Sequence, residues 1–250
     1  RRLGRVSALL ATIAGVGLAQ PAAAVTLGSL VPVTGATSPF RNCTADHVAQ
    51  QDGDVFIASV VEPWIAANPA APTKLLTGWQ QDRWSNGGSR GLLAGISGNG
   101  GATWSTKVPG KVTKCEGGPY LRASDPWVDF SPNGVAYFMH LAFQEDLPTG
   151  GFGPNGMLVA RSTDNGATWS NPITLRYDTN PQILNDKNSL TADPNNSRYV
   201  YAVWDRLQDY TLSGHDGEEA ADTSVRLRIY FPSVLMYPAF SLPCSFGMKS

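Results

Sequence analysis

Charge is scarce in this chain. Only 16% of its 250 residues are Asp, Glu, Lys or Arg, and the 19 basic and 20 acidic side chains leave a formal net charge of −1. That balance builds no basic field for nucleic acid or for an anionic membrane surface, so neither is expected as a partner. Histidine and cysteine are scarcer still, with three of each. His47, His140 and His215 are scattered, no Cys/His spacing resembles a zinc site, and neither metal nor cofactor is expected. The apolar run from Val6 to Leu18 is too short to span a bilayer and is broken by Gly15 and Gly17, so no stable membrane span is expected either. A methionine at position 1 is also missing, which reads as a chain clipped from a longer reading frame or one whose start is wrongly assigned.

What is abundant points to many short strands and turns. There are 26 Gly, 18 Pro and 7 Trp, a composition that suits an all-β fold better than a helical bundle. Residues 1–24 read as an export signal: basic Arg1, Arg2 and Arg5, the apolar run, then Ala22-Ala23-Ala24. Export to the outside or the cell surface permits disulfides. Cys43 and Cys115 are placed to bridge and so pin a lead-in segment, residues 25–58, against the rest of the chain. Two unpaired buried thiols are the alternative, and Cys244 is left over.

One eight-residue string organises the rest. Ser162-Thr163-Asp164-Asn165-Gly166-Ala167-Thr168-Trp169 nearly repeats Ser97-Gly98-Asn99-Gly100-Gly101-Ala102-Thr103-Trp104, 65 residues earlier. Each reads as a tight turn in which Asp164 or Asn99 bonds backbone amides ahead of it and Gly166 or Gly101 supplies positive φ. A second alignment runs beside it. Glu62-Pro63-Trp64 matches Asp125-Pro126-Trp127 at an offset of 63, and Lys187-Asn188-Ser189 follows at 62. Apolar strand-like stretches follow each of these, and another precedes each turn, giving four antiparallel strands per unit. Such a unit is a propeller blade. The expected layout is a partial β-propeller over 59–225, with blade 1 near 59–110, blade 2 near 123–175 and an incomplete blade 3 near 186–225.

The string Ser-x-Asp-x-Gly-x-Thr-Trp resembles the Asp-box, or bacterial neuraminidase repeat, of sialidase-type β-propellers. The copy at Ser162 matches fully, and Asn99 replaces Asp in the other. In that family the Asp-box is structural, so Ser97, Asn99, Gly101, Trp104, Ser162, Asp164, Gly166 and Trp169 are assigned to the scaffold. The resemblance implies a six-bladed exo-α-sialidase that cleaves terminal sialic acids with retention. Its reaction uses a tyrosine activated by a glutamate, an aspartate acid/base and three arginines around the substrate carboxylate. The family's Arg-Ile-Pro element before the first Asp-box is missing. Six blades of about 63 residues would also need about 380 residues, so a chain of this length is expected to be incomplete and inactive alone.

Candidate site residues therefore come from blade geometry. Glu62, Asp125 and Lys187 are expected where successive innermost strands begin, facing the central opening, with the repeat turns on the opposite side. Gln80, Gln81, Asp82, Arg83 and Trp84, then Gln144, Glu145 and Asp146, then Asp205 and Arg206 are expected just after second strands, on the same face. Carboxylates there serve as acid or base, arginines grip an anionic group, and Trp84 stacks on a ring, which gives Asp82, Arg83, Asp125, Glu62 and Arg206 catalytic roles and Trp84, Gln81, Lys187 and Asp205 substrate contacts. Plainer readings stand beside these: Asp82-Arg83 and Asp205-Arg206 as local ion pairs, Glu62 and Asp125 as turn formers before proline. The acidic run from Asp209 to Asp222 lacks the EF-hand spacing and reads as a solvated loop. Beyond residue 225 the chain changes character, with no Trp or Asp and with Pro232, Pro238 and Pro243 in an apolar tract, so 226–250 reads as truncated or frame-shifted. A propeller that binds glycans or proteins at the cell surface without chemistry is the alternative function.

Overall fold

The computed structural model describes residues 28–49, 53–148, 151–209, 220–223 and 227–230, the last two segments by their strand pairing alone. The segment read as an export signal, most of the acidic run and the tail beyond Tyr230 lie outside the described residues. The chain divides after Leu30, and every strand belongs to the unit that begins at Val31.

Three antiparallel sheets follow one another, and the fold is all-β, a partial propeller. Blade 1 comprises β1 (Val55–Ala67), β2 (Leu75–Trp84), β3 (Ser89–Ser97) and the short β4 (Ser105–Lys107). A connector with one 3₁₀ turn, Lys114–Glu116, leads to blade 2: β5 (Arg122–Phe130), β6 (Ala136–Phe143), β7 (Asn155–Ser162) and β8 (Ile173–Asp178). Blade 3 has β9 (Ile183–Ala192), β10 (Tyr199–Gln208) and a third strand in two pieces, β11 (Ala220–Thr223) and β12 (Leu227–Tyr230), both paired to β10. Pairing thus continues to Tyr230, past residue 225 where the composition changes. At the other end β1 begins at Val55, so the apolar stretch Val55–Ala58 belongs to the first blade and not to the lead-in. Blades 1 and 2 share a single bridge, Ser89 with Ala123.

The two repeat turns join third to fourth strands and are built alike. Ser97 Oγ accepts the Asn99 and Gly101 amides at 3.3 and 2.9 Å, and Asn99 Oδ1 accepts the Thr103 amide at 2.9 Å. In blade 2, Ser162 Oγ accepts the Asp164 and Gly166 amides at 3.3 and 2.8 Å, and Asp164 Oδ1 accepts the Thr168 amide at 2.9 Å. Gly101 and Gly166 sit at φ 90° and 89°, where a side chain would strain the backbone. Asp164 also accepts the Thr168 hydroxyl and its own carboxyl falls to about 2, because these bonds favour the ionised form. Asn99 makes the same turn without a charge.

Period-two alternation divides each blade between two neighbours. Leu76, Leu92 and Ala94 of blade 1 pack with Val128, Phe130, Phe138 and Leu158 of blade 2. The opposite residues of blade 2, Tyr137, Met139, Leu141, Met157 and Val159, pack with Leu190, Val200, Ala202 and Trp204 of blade 3. Gly78 is what lets Phe138 come so close, since a Cβ there would lie 2.7 Å from its ring. Each such buried large side chain contributes about 1.5–3 kcal/mol. The other face of blade 1 is covered by the lead-in: Phe40, with Val33, sits on Trp79 and Leu93. A disulfide between Cys43 and Cys115, with Cα atoms 5.7 Å apart, ties that cover to the connector. Beside it Arg90 Nε donates to buried Asp46 at 2.8 Å.

Candidate functional site

Each innermost strand is interrupted at the same place. The pairing of β1 slips between Val61 and Trp64, that of β5 between Ser124 and Trp127, and that of β9 opposite the Val203–Asp205 step. The residues at these bulges are Glu62, Asp125 and Lys187, at φ 53°, 53° and 50°. Left-handed backbone costs a non-glycine residue about 1–2 kcal/mol, and bulges of this kind re-aim a side chain. Three blades accept that cost at one position, and the outcome is convergence. Glu62, Pro63 and Trp64, Asp125, Pro126 and Trp127, and Lys187 to Ser189 line a recess of about 320 Å³.

Its polar groups are linked. Gln80, fully buried on β2, donates from Nε2 to Glu62 Oε2 and to Ser124 Oγ, the latter at 3.1 Å. Ser124 Oγ in turn donates to Asp125 Oδ1 at 2.6 Å. The other Asp125 oxygen accepts the Lys187 amide at 3.0 Å, and Asn188 Nδ2 donates to the Asp125 carbonyl at 2.9 Å. The carboxyl of Asp186 is pushed up, first by partial burial and then by the charge of Asp125, so it keeps its proton to higher pH. Trp64 and Trp127 stack with centroids 3.6 Å apart and planes 23° apart, and Trp64 remains 40% exposed.

The recess lies within the innermost strands and not where they begin, so Glu62, Asp125 and Lys187 come together part-way along β1, β5 and β9. The other expected residues are elsewhere, because the second strands are longer than the apolar pattern suggested. β2 runs through Trp84 and β10 through Gln208, which puts Gln81 to Trp84 and Asp205-Arg206 inside strands. Asp82 is fully buried and accepts the Ser38 hydroxyl at 2.6 Å and the Ala58 amide at 2.8 Å, holding the lead-in to a second bulge in β1. Gln81 donates to Asp82 at 2.9 Å and accepts from Trp79. Arg83 donates to the Gly88 carbonyl at 2.8 Å. Trp84 is buried beneath the Arg122 guanidinium, 4.7 Å from its ring centre, and Arg122 is itself paired with Glu145 at 2.8 Å. Arg206 donates to Asp178 at 3.3 Å, and Asp205 pairs in register with Asp186 and Thr223. Burial opposes ionisation of Asp178, but Arg176, Asn185 and Arg206 together hold it well below the usual carboxylate range.

Gln80, Ser124 and Asp186 complete the site; Gln80 was expected on this face with its neighbours on β2, whereas Ser124 and Asp186 were not singled out from the sequence. A signal existed for both: Ser124 and Asp186 occupy the column just before Asp125 and Lys187 in the blade alignment. A larger cleft, about 580 Å³ between the connector and β8, carries Lys111 but no carboxylate in its lining, and so offers less chemistry.

No protein-family profile matches the chain, and no curated protein does. Among solved structures it is similar to the Hadza microbial sialidase Hz136, with a TM-score of 0.44 and 15% identity over 69% of this chain and 35% of the other. It is similar also to an α-L-arabinanase of Penicillium chrysogenum complexed with arabinobiose, with a TM-score of 0.46 and 16% identity over 70% and 46%. A Trypanosoma rangeli sialidase in complex with the inhibitor DANA gives a TM-score of 0.37 and 15% identity over 69% and 31%. The chain thus spans less than half the length of each of these three propeller glycoside hydrolases.

Proposed function

We propose that the recess is a glycan site and that the chain is part of an exported propeller of glycoside-hydrolase type. The observation that carries this reading is the convergence of Glu62, Asp125 and Lys187, from three equivalent strained bulges, beside the exposed Trp64. Strained backbone is retained where it positions reacting groups, and a half-exposed indole beside carboxylates suits a sugar ring. Glycoside hydrolysis needs one carboxyl to protonate the leaving oxygen and a second to activate water or attack the anomeric carbon. Asp125 and Glu62, carried by neighbouring blades into one recess, are the pair of carboxyls available for these two roles. The glycosidic C–O bond breaks, the leaving oxygen takes the proton, and water supplies the new C–O bond. The Asp-box resemblance makes sialic acid one candidate sugar.

A panel of fluorogenic glycosides, sialosides included, tests this with the wild-type chain and with Asp125→Asn and Glu62→Gln. Turnover that each variant lowers by about a hundredfold or more supports hydrolysis. Binding without turnover supports the second reading, a glycan-binding propeller, which gains weight because Glu62 and Asp125 are both engaged in internal hydrogen bonds. Neither binding nor turnover would remove both.

A further inference from the structure

We propose that the recess selects an uncharged sugar over an acidic one, an inference that rests on the glycan reading above and sharpens it. The charged side chains that line the hollow are Glu62, Asp125 and Lys187, so its lining carries one more negative than positive group. The Lys187 backbone amide, and not its ammonium, is what Asp125 accepts, leaving that carboxylate's charge uncompensated by a short ion pair among the described residues. A sugar carboxylate entering here would meet like charge, and because Glu62 and Lys187 are exposed the repulsion is felt most at low ionic strength.

The guanidinium groups that would offset such a charge are occupied elsewhere. Arg90 is paired with Asp46, Arg122 with Glu145, and Arg176 and Arg206 with Asp178, while Arg83 donates to the Gly88 carbonyl. Among the described residues none of them lines the recess. The groups that do line it suit hydroxyls: carboxylate oxygens accept from them, the Lys187 ammonium and Asn188 donate to them, and Trp64 offers a flat apolar face to the C–H side of a pyranose or furanose ring.

The test is titration of the full chain, followed by tryptophan fluorescence, with matched pairs that differ in one carboxylate: lactose against 3′-sialyllactose, and p-nitrophenyl β-glucoside against the β-glucuronide. The neutral member of a pair is expected to bind at least tenfold more tightly at low salt. Glu62→Gln, which keeps an acceptor for Gln80, is expected to narrow that ratio several-fold, and added salt is expected to narrow it too. An acidic sugar that binds as well as or better than its neutral partner, with binding weakened by Trp64→Ala, overturns this inference and leaves the glycan site standing. No binding by any of the four sugars, or binding that Trp64→Ala and the gentler Trp64→Phe both leave unchanged, overturns the glycan site itself and this inference with it.

Discussion

His140 offers the sharpest test of how the sheets are packed. It lies on β6 opposite Leu158, fully buried, and among the described residues neither ring nitrogen has a hydrogen-bond partner. Burial lowers its pKa to about 3 from the ordinary 6.5. A base with a depressed folded value binds protons more readily when unfolded, so its neutral form supports the fold above pH 6.5 and that support is lost as pH falls toward 3. At pH 5 the loss is about 2 kcal/mol, from roughly 1.5 pH units at 1.36 kcal/mol each, and below pH 3 it reaches roughly 5 kcal/mol. His140→Leu removes the titration and two unpartnered nitrogens, each of which costs about 1–3 kcal/mol when buried. Urea denaturation of both proteins at pH 7.5 and pH 5.0 reads the effect. The variant should be at least as stable at pH 7.5, and its advantage should grow by about 2 kcal/mol at pH 5.0. An advantage that is the same at both pH values would refute the reasoning, because it would mean that His140 titrates alike in the folded and unfolded chain.

Glu116 should act with the opposite sign. Burial outweighs its bonds from the Thr113, Leu92 and Val112 amides and raises its carboxyl to about 7 from 4.5, so the folded chain binds the extra proton and this contribution is lost as pH rises through 7. Relative to Glu116→Gln, the wild-type chain should lose roughly 2 kcal/mol between pH 5.0 and 7.5 in the same urea assay, and parallel profiles would count against it. The repeat turns predict a matched pair: Ser97→Ala and Ser162→Ala each remove an acceptor of two backbone amides and should each cost about 1–3 kcal/mol in thermal or urea unfolding. Costs that differ by more than about 1 kcal/mol would show that the two turns are not equivalent.

The repeat was legible in the sequence because turn chemistry is local. An Asx side chain, a glycine at positive φ and a serine acceptor lie within five residues, and the Ser97 and Ser162 turns were found from those letters alone. The column of Glu62, Asp125 and Lys187 was legible for the same reason of periodicity. Their conformation was not: nothing in the letters says that three non-glycine residues adopt left-handed backbone, since that is set by how neighbouring sheets pack. Asp82 illustrates the converse. A charged residue beyond an apolar stretch reads as solvated, yet here Ser38, far away in the chain, supplies the hydroxyl that makes its burial tolerable. Strand ends fail for a related reason, because Gln80 and Gln81 continue β2 only where Ser124, Glu62 and Trp79 satisfy their amides.

The segment laid over Trp79 and Leu93 gives the row of sheets a direction. Another sheet could stack on that side only by prising away Phe40, which the Cys43–Cys115 link resists. At the opposite end Tyr201 and Val203 of β10 remain partly open, at 38% and 37% exposure. The first sheet is committed to packing against a neighbouring sheet on one face alone, its other face being taken by the chain's own lead-in.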